Sequence, residues 1–389
     1  MKERIKVGVI GAGFIGPAHI EALRRLGYVD VVALATSNEK SAESKARALS
    51  IPQHYGNYLD MLDSDIDVVQ ITSPNHLHYP QAKAALEAGK HVVCDKPLVV
   101  SSRESRTLVD LAEEKKLVNA VTFNFRFYPL VQQSRAMVRQ GHLGTVFFIH
   151  GGFHQDWLFY DTDYNWRVES GEGGEARAIG DIGTHWLDTI GYITGLKVGA
   201  VFADFHTLIP VRKKPKAAIE TFAGKELKPT DYVEVKVDTE DLAIVMLHFA
   251  DSDARAVMTI SQVSAGRKCR LFYEIFGTGG GIGWDSEIPN QLWTGYRDKP
   301  NEILVKDPAL MDPVAKSSAR YPGGHGEGFP DSHTHCERTI YEYIREERHR
   351  EGIEPDFPTF RDGHEEQLLC EAILESSRKQ KWVEVDYSA

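Results

Sequence analysis

Cysteine is scarce in this chain: four in 389 residues (Cys94, Cys269, Cys336 and Cys370), widely spaced and never paired as Cys-x-x-Cys. That spacing excludes a thiolate zinc site of the usual kind and suits a reducing compartment. No apolar run approaches the roughly 18–20 residues needed to span a bilayer, and the first residues show no basic-then-apolar leader. Positive charge is in deficit, with 45 Lys and Arg against 56 Asp and Glu and a net charge of -11. Binding a phosphate backbone requires a basic face, so no nucleic-acid partner is expected. The densest basic cluster, Lys213-Lys214-Pro215-Lys216, reads as a solvated loop. The His-Glu-x-x-His spacing of a zinc hydrolase is also missing. These absences leave a soluble cytoplasmic protein with no membrane contact as the expectation. With 42% hydrophobic and 26% charged residues the composition is globular, and the length calls for more than one domain, since a single core seldom exceeds ~250–300 residues.

What the chain does have begins at residue 11. Gly11-Ala12-Gly13-Phe14-Ile15-Gly16 closes the apolar run Ile5-Lys6-Val7-Gly8-Val9-Ile10 and precedes a helical pattern. A Gly-x-Gly-x-x-Gly in the first βα turn reads as a dinucleotide site, the alternative being a tight turn with incidental glycines: Gly11 permits the tight turn, Gly13 admits the pyrophosphate, and Gly16 lets helix and strand pack closely. The helix N-terminus favours the anion. Strand patterns over 5–10, 29–35, 68–72, 91–94 and 118–123 alternate with helical ones over 17–26, 41–49, 79–88 and 102–116. That alternation predicts a doubly wound parallel sheet over 1–123, a Rossmann domain. At the end of its second strand stands Ala35-Thr36-Ser37-Asn38, with neither the carboxylate that would hold a ribose diol nor an arginine for a 2′-phosphate. Thr36, Ser37 or Asn38 could bond the ribose hydroxyls and Lys40 could reach a phosphate, which places NAD ahead of NADP without excluding the latter.

From residue 124 the texture changes. A helix over 129–140 is followed by strand patterns over 146–153, 198–209, 233–237, 242–249, 254–262 and 271–277, joined by turns. The prediction for 124–389 is an α+β domain with an open, mostly antiparallel sheet. The five glycines of 277–283 read as a link between strands, 333–347 and 362–379 as helices, and 382–385 as a last strand.

Asp95-Lys96-Pro97 follows a predicted strand, which puts Lys96 at the carboxyl edge of the sheet, where ligands of open α/β folds bind. A lysine there can stabilise the alkoxide character that develops as hydride leaves carbon. Asp181 and His185 are four residues apart, so on a helix over 182–193 they share one face. His185 can take a hydroxyl proton, and Asp181 can orient substrate or support the imidazole. Asp181 could also simply cap the helix. A further cluster, His325, Glu327, Asp331, His333 and His335, has the residue types of a metal site. Its spacing argues instead for a glycine-rich lid contributing His325, with Glu327, to the substrate pocket, and no metal is expected.

Together these motifs resemble the Gfo/Idh/MocA family of sugar and polyol dehydrogenases over nearly the whole chain. The likeness rests on Gly11 to Gly16, Ser73-Pro74-Asn75-His76-Leu77-His78, Ala88-Gly89-Lys90-His91, Asp95-Lys96-Pro97 (usually Glu-Lys-Pro in the family), Asn124-Phe125-Arg126-Phe127, Gly141-His142-Leu143-Gly144 and Asp181-Ile182-Gly183-Thr184-His185. The resemblance implies bound NAD(P) and a catalytic set falling on Lys96, Asp181 and His185. It places Phe14 and Ile15 of the glycine loop, Thr72, Pro74, Asn75, His78, Lys96 and Asn124 at the cofactor, and Arg126 near the substrate. Gln155-Asp156-Trp157, Asn165-Trp166-Arg167 and Gly171 to Gly174 resemble the branch that contains levoglucosan dehydrogenase, glucoside 3-dehydrogenases and inositol dehydrogenases. Trp157 and Arg167 are therefore expected substrate contacts, an aromatic face and a rim of hydrogen-bonding groups suiting a pyranose, anhydrosugar or cyclitol. The exposed sheet face favours a homodimer or homotetramer. Two other readings stay open: a redox-neutral enzyme that retains NAD and oxidises its sugar transiently, and a non-catalytic NAD or sugar sensor.

Overall fold

Short runs of β-branched and small apolar residues, buried on both sides, form the centre of the first sheet, as expected for strands covered by helices on both faces. The computed structural model, which describes residues 3–216 and 231–388, builds them in the order β1 (Ile5–Ile10), α1 (Gly16–Arg24), β2 (Val29–Ala35), α2 (Glu39–Ala48), β3 (Gln53–Tyr55), α3 (Tyr58–Leu62), β4 (Val68–Ile71), α4 (His78–Glu87), β5 (His91–Cys94), α5 (Ser102–Lys115) and β6 (Asn119–Val121). The strands pair in parallel in the order β3-β2-β1-β4-β5-β6. Strand order reverses between β1 and β4, and ligands of such sheets bind beyond the carboxyl ends of the strands at that reversal. Local chemistry sets the helix ends: the Asn38 side chain accepts from the Ser41 N–H at 2.9 Å to start α2, and Lys116 turns left-handed (φ 53°) to stop α5.

The rest of the chain forms α6 (Pro129–Arg139), β7 (Val146–His154), α7 (Ser170–Gly173), a π-helical turn (Ile179–Gly183), α8 (Thr184–Thr194), β8 (Val198–His206), β9 (Val211–Pro215), β10 (Tyr232–Lys236), β11 (Leu242–Phe249), β12 (Ser252–Ser261), β13 (Arg270–Gly277), β14 (Gly280–Asp285), β15 (Gln291–Gly295), β16 (Glu302–Val305), α9 (Pro313–Lys316), α10 (Phe329–Arg345), α11 (Phe360–Lys379) and β17 (Val383–Glu384). Nine strands make one sheet, β16-β15-β14-β13-β7-β12-β11-β8-β17, antiparallel except where β12 runs parallel to β7. Alternation along the strands sends Ile149, Phe153, Val245, Leu247 and Tyr273 into a core with Leu130 and Val131 of α6 and Trp186 and Ile190 of α8. The opposite face carries Phe148 and Phe276, stacked at 6.3 Å, and leaves Ile244 and Met246 exposed.

Four sequence expectations need correction. The glycines at 277–283 are not merely a link: β14 begins at Gly280 and pairs with β13 in a tight hairpin (Gly277↔Gly280). Glycine is a poor strand former, yet a Cβ on Gly281 would stand 2.7 Å from the Phe276 ring, so the aromatic packing there requires its absence. Lys213 and Lys214 lie in β9, paired with β10, and form ion pairs with Asp161 and Glu169 at 2.7 and 2.6 Å. His333 and His335 stand in the second turn of α10, which begins earlier than predicted. Asp181 is inside the π-helical turn, too deep to be a cap.

The chain divides into two compact units, Met1–Asn124 with Pro330–Gln367, and Phe125–Phe329 with Leu368–Ala389. A single continuous second domain over 124–389 is thus interrupted by a return to the first unit. The returning segment covers the sheet edge: Phe360 N–H donates to Asn119 Oδ1 at 2.8 Å, and Val121 N–H to Pro358 O at 2.9 Å.

Candidate active site

In the first unit the glycine loop lies at the strand-order reversal. Gly11 has φ 94°, and a Cβ on it would stand 2.8 Å from Thr72 O; one on Gly16 would stand 2.7 Å from Gly11 O. A Cβ on Gly13 would meet nothing within 4 Å, so the loop is open on that side for a pyrophosphate. Thr72 Oγ1 donates to Gly11 O at 2.8 Å and ties the end of β4 to the loop. Phe14 is 61% exposed beside Gly13, and Ile15 immediately precedes the first turn of α1. These residues fit a dinucleotide.

At the end of β2 the groups are partly committed to one another. Thr36 Oγ1 donates to Asn38 O at 3.1 Å, Asn38 Nδ2 to Ser37 Oγ at 3.3 Å, and Asn38 Oδ1 is the cap of α2. Lys45, one helix later, donates to Ala12 O at 2.8 Å and so brings a cation to the glycine loop.

The loops after β4 and β5 are pinned together by His78. Its buried ring sets Nδ1 2.9 Å from Pro97 O and Nε2 2.8 Å from Ser73 O. Burial lowers the pKa of His78, a tendency that Asp95 and the carbonyls oppose. Pro74 is extended and leads into a 3₁₀ turn, Asn75–Leu77, in which Asn75 is buried. Asp95 accepts from Thr122 Oγ1 at 3.1 Å. Burial pushes its carboxyl up, and the positive charges of His19, Lys96, His78 and His333 outweigh that and hold it below the usual range. Lys96 follows at the carboxyl edge of the sheet, and the Asn124 amide donates to Ser332 Oγ at 2.8 Å.

In the second unit Asp181 and His185 stand about one turn apart in the helical run from Ile179 into α8. Asp181 is held from two sides: Arg167 Nε donates to Oδ1 at 3.2 Å and Gln262 Nε2 to Oδ2 at 2.9 Å. The His185 ring is 6% exposed and packs edge-on against Phe125, with centroids 4.9 Å apart, and against Phe153 at 6.1 Å. The Arg167 guanidinium lies over the Trp166 ring at 4.3 Å. A carboxylate with fixed donors, next to an imidazole in an aromatic wall, can orient a hydroxyl and exchange its proton.

The other expected contacts have structural partners. Trp157 donates to Gln155 Oε1 at 2.8 Å and packs on a small cluster of Leu158, Val168 and Val237. Arg126 makes a bidentate pair with Asp188, Nε lying 2.9 and 2.8 Å from its two oxygens. His325 is exposed, Nδ1 lying 3.3 Å from Gly323 O. Glu327 is buried and bonded to Lys306 at 2.7 Å, and accepts from the Arg320 N–H at 2.9 Å, so it pins its loop. Among the described residues no group of three or more His, Cys, Asp or Glu could hold a metal, and no helix is long and apolar enough to cross a membrane.

Two residues that hold Asp181 or its turn carried no motif. Gln262 is one. Glu240 is the other: its carboxylate accepts from Arg177 N–H at 3.1 Å and Ile179 N–H at 2.8 Å, and so caps the segment bearing Asp181. Beside it Asp241 binds both Arg177 and Arg212, the latter at 2.7 Å, with all three side chains fully buried. The only local signal was a polar pair at each strand terminus, Glu240-Asp241 before β11 and Ser261-Gln262 at the end of β12.

Comparison with known proteins agrees with this fold. Residues 5–123 match the oxidoreductase family model described as an NAD-binding Rossmann fold, and residues 131–283 match the GFO/IDH/MocA C-terminal domain. Levoglucosan dehydrogenase of Pseudarthrobacter phenanthrenivorans is 29% identical across 98% of each chain. Glucose-6-phosphate 3-dehydrogenase of Bacillus subtilis is 27% identical over 59% of this chain and 63% of its own. A solved structure of levoglucosan dehydrogenase with NADH and L-sorbose superposes with a TM-score of 0.88 at 28% identity, covering 99% of each chain.

Proposed function

Because this chain belongs to the Gfo/Idh/MocA family of NAD-binding oxidoreductases, we propose that it transfers hydride between nicotinamide and one secondary hydroxyl of a pyranose, anhydrosugar or cyclitol. The observation that carries this reading is Asp181, fixed by Arg167 and Gln262 one turn from His185. Held at the glycine loop, NAD supplies the hydride acceptor, with NADP a second candidate because no carboxylate stands at the end of β2. His185 takes the proton of the reacting hydroxyl. For Lys96 the role is to stabilise the negative charge that develops as the carbon is oxidised. Asp181, with its own oxygens engaged by Arg167 and Gln262, orients the ring, and Arg167 and Trp157 line the substrate side. The exposed Ile244 and Met246 on the open sheet face support a homodimer or homotetramer, and we place the enzyme in the cytoplasm.

The test is reduced-nicotinamide absorbance with NAD and with NADP against levoglucosan, inositols, free hexoses and methyl glucosides. One substrate class with one preferred cofactor is expected. Silence across the panel, with NADH still bound, would sink the assignment.

A further inference from the structure

One buried titratable group of the first unit has no part in the mechanism above. His19 lies in α1, one turn beyond the glycine loop, and is fully buried. Its Nδ1 is 2.7 Å from Glu337 Oε1, and its Nε2 faces Asp95 Oδ1 at 3.9 Å. Glu337, on α10, is also fully buried, and its Oε1 accepts from Gln70 Nε2 at 3.0 Å. Gln70 Oε1 in turn accepts from Tyr341 OH at 3.1 Å, and the His333 ring meets His19 edge-on at 4.8 Å. The groups facing His19 are therefore Asp95 from the end of β5, Gln70 from β4, and Glu337 and His333 from α10, with Tyr341 behind Gln70.

We propose that His19 is a positioning residue for Lys96: as an imidazolium clamped between Asp95 and Glu337, it holds the Asp95-Lys96 turn in its working geometry. This rests on the role proposed above for Lys96. A neutral ring has one N–H: with the proton on Nδ1 it donates to Glu337 and turns a lone pair toward Asp95, and with it on Nε2 it faces Asp95 while Nδ1 accepts from Gln70 Nε2 at 3.1 Å and sets a lone pair against Glu337. Either way one carboxylate loses its donor. Burial opposes the charge on His19, but the hydrogen bond and charge of Glu337, with the charge of Asp95, raise its pKa above the ordinary value of 6.5. Buried ions are costly, and an apolar side chain would pack α1 on the sheet more cheaply. A pin for α10 alone would need only Glu337 and Gln70; the link from His19 to Asp95, the neighbour of Lys96, goes beyond such a pin. Since the folded pKa is raised, the charge and its hold are present below the unfolded value and are lost as pH rises through the folded one.

The experiment reads Lys96 directly, without substrate. Lysines are reductively ¹³C-methylated, and the Lys96 signal is assigned by its absence in Lys96→Arg. In the wild type this signal should show an inflection at the His19 pKa, above 6.5. Glu337→Gln, which keeps shape and an acceptor, should move it down by about one pH unit, and His19→Asn should abolish it. The alkaline limb of kcat should move with it while NADH affinity stays within about threefold. An inflection-free Lys96 signal, or one unchanged in Glu337→Gln, overturns the proposal, even if both variants melt at lower temperature. If His19→Asn does not fold, Glu337→Gln decides. Absence of turnover on every sugar would defeat the proposed function and leave the titration to judge this inference.

Discussion

In the first unit the groups offered to the nucleotide sit where the backbone puts them: the glycine loop at the end of β1 and Thr72 at the end of β4. In the second unit Asp181 depends on side chains from remote segments, Arg167 at 3.2 Å and Gln262 at 2.9 Å, on a turn capped by Glu240. The first half is set by strand order, which a single substitution seldom changes. The second half is set by a polar network, which one substitution can undo. Binding of nucleotide and chemistry on substrate should therefore be separable by mutation.

The sharpest break is chemical. His185→Asn should lower kcat by roughly 10²–10⁴, the usual weight of a general base, with NADH affinity, read by fluorescence titration, nearly intact; a variant that instead lost the nucleotide would move His185 out of the mechanism. Next, Asp241→Asn strands the buried Arg177 and Arg212 guanidiniums and should cost about 3–5 kcal/mol in chemical denaturation. Burial alone would raise the Asp241 carboxyl, but Arg177, the Ile209 N–H and Arg212 hold it low. Its contribution is therefore present above the unfolded value near ~3.9 and is lost as pH falls through the lower folded one. The deficit of the variant should shrink in acid, and a constant deficit would argue against the ion pairs. Gly11→Ala tests the backbone half: a side chain at φ 94°, 2.8 Å from Thr72 O, should cost about 1–3 kcal/mol, seen as weaker NADH binding in calorimetry or a lower melting temperature. Smallest is Gln262→Leu, which removes one of the two donors to Asp181. We expect a loss of about tenfold in kcat/KM, in line with one hydrogen bond to a charged group, and no change in NADH affinity; equal loss of both would contradict the division.

The contrast between the halves also sets what could be read from the chain. Strand and helix periodicity, with glycines that only one geometry tolerates, made the parallel sheet and its cofactor loop legible. Asp181 and His185 stood out by spacing, but what holds them did not, because Arg167, Glu240 and Gln262 meet Asp181 or its turn from up to 81 positions away. Arg126 drew attention by its motif, and its bidentate partner Asp188 lies 62 residues on. The β14 strand was hidden because its glycines have low strand propensity, and the Phe276 ring that leaves no room for a side chain at Gly281 belongs to the preceding strand.

The return of Pro330–Gln367 to the first unit bears on how the protein is made. A ribosome emits residues in order, so when Asn124 emerges the cofactor unit still lacks Glu337, Tyr341 and the strip that covers β6. At ~5–20 residues per second, that material arrives roughly ten seconds or more later, after nearly all of the second unit has been translated. The nascent nucleotide fold must wait through that interval with His19 and an open sheet edge uncovered, a window in which a chaperone or early NAD would matter most.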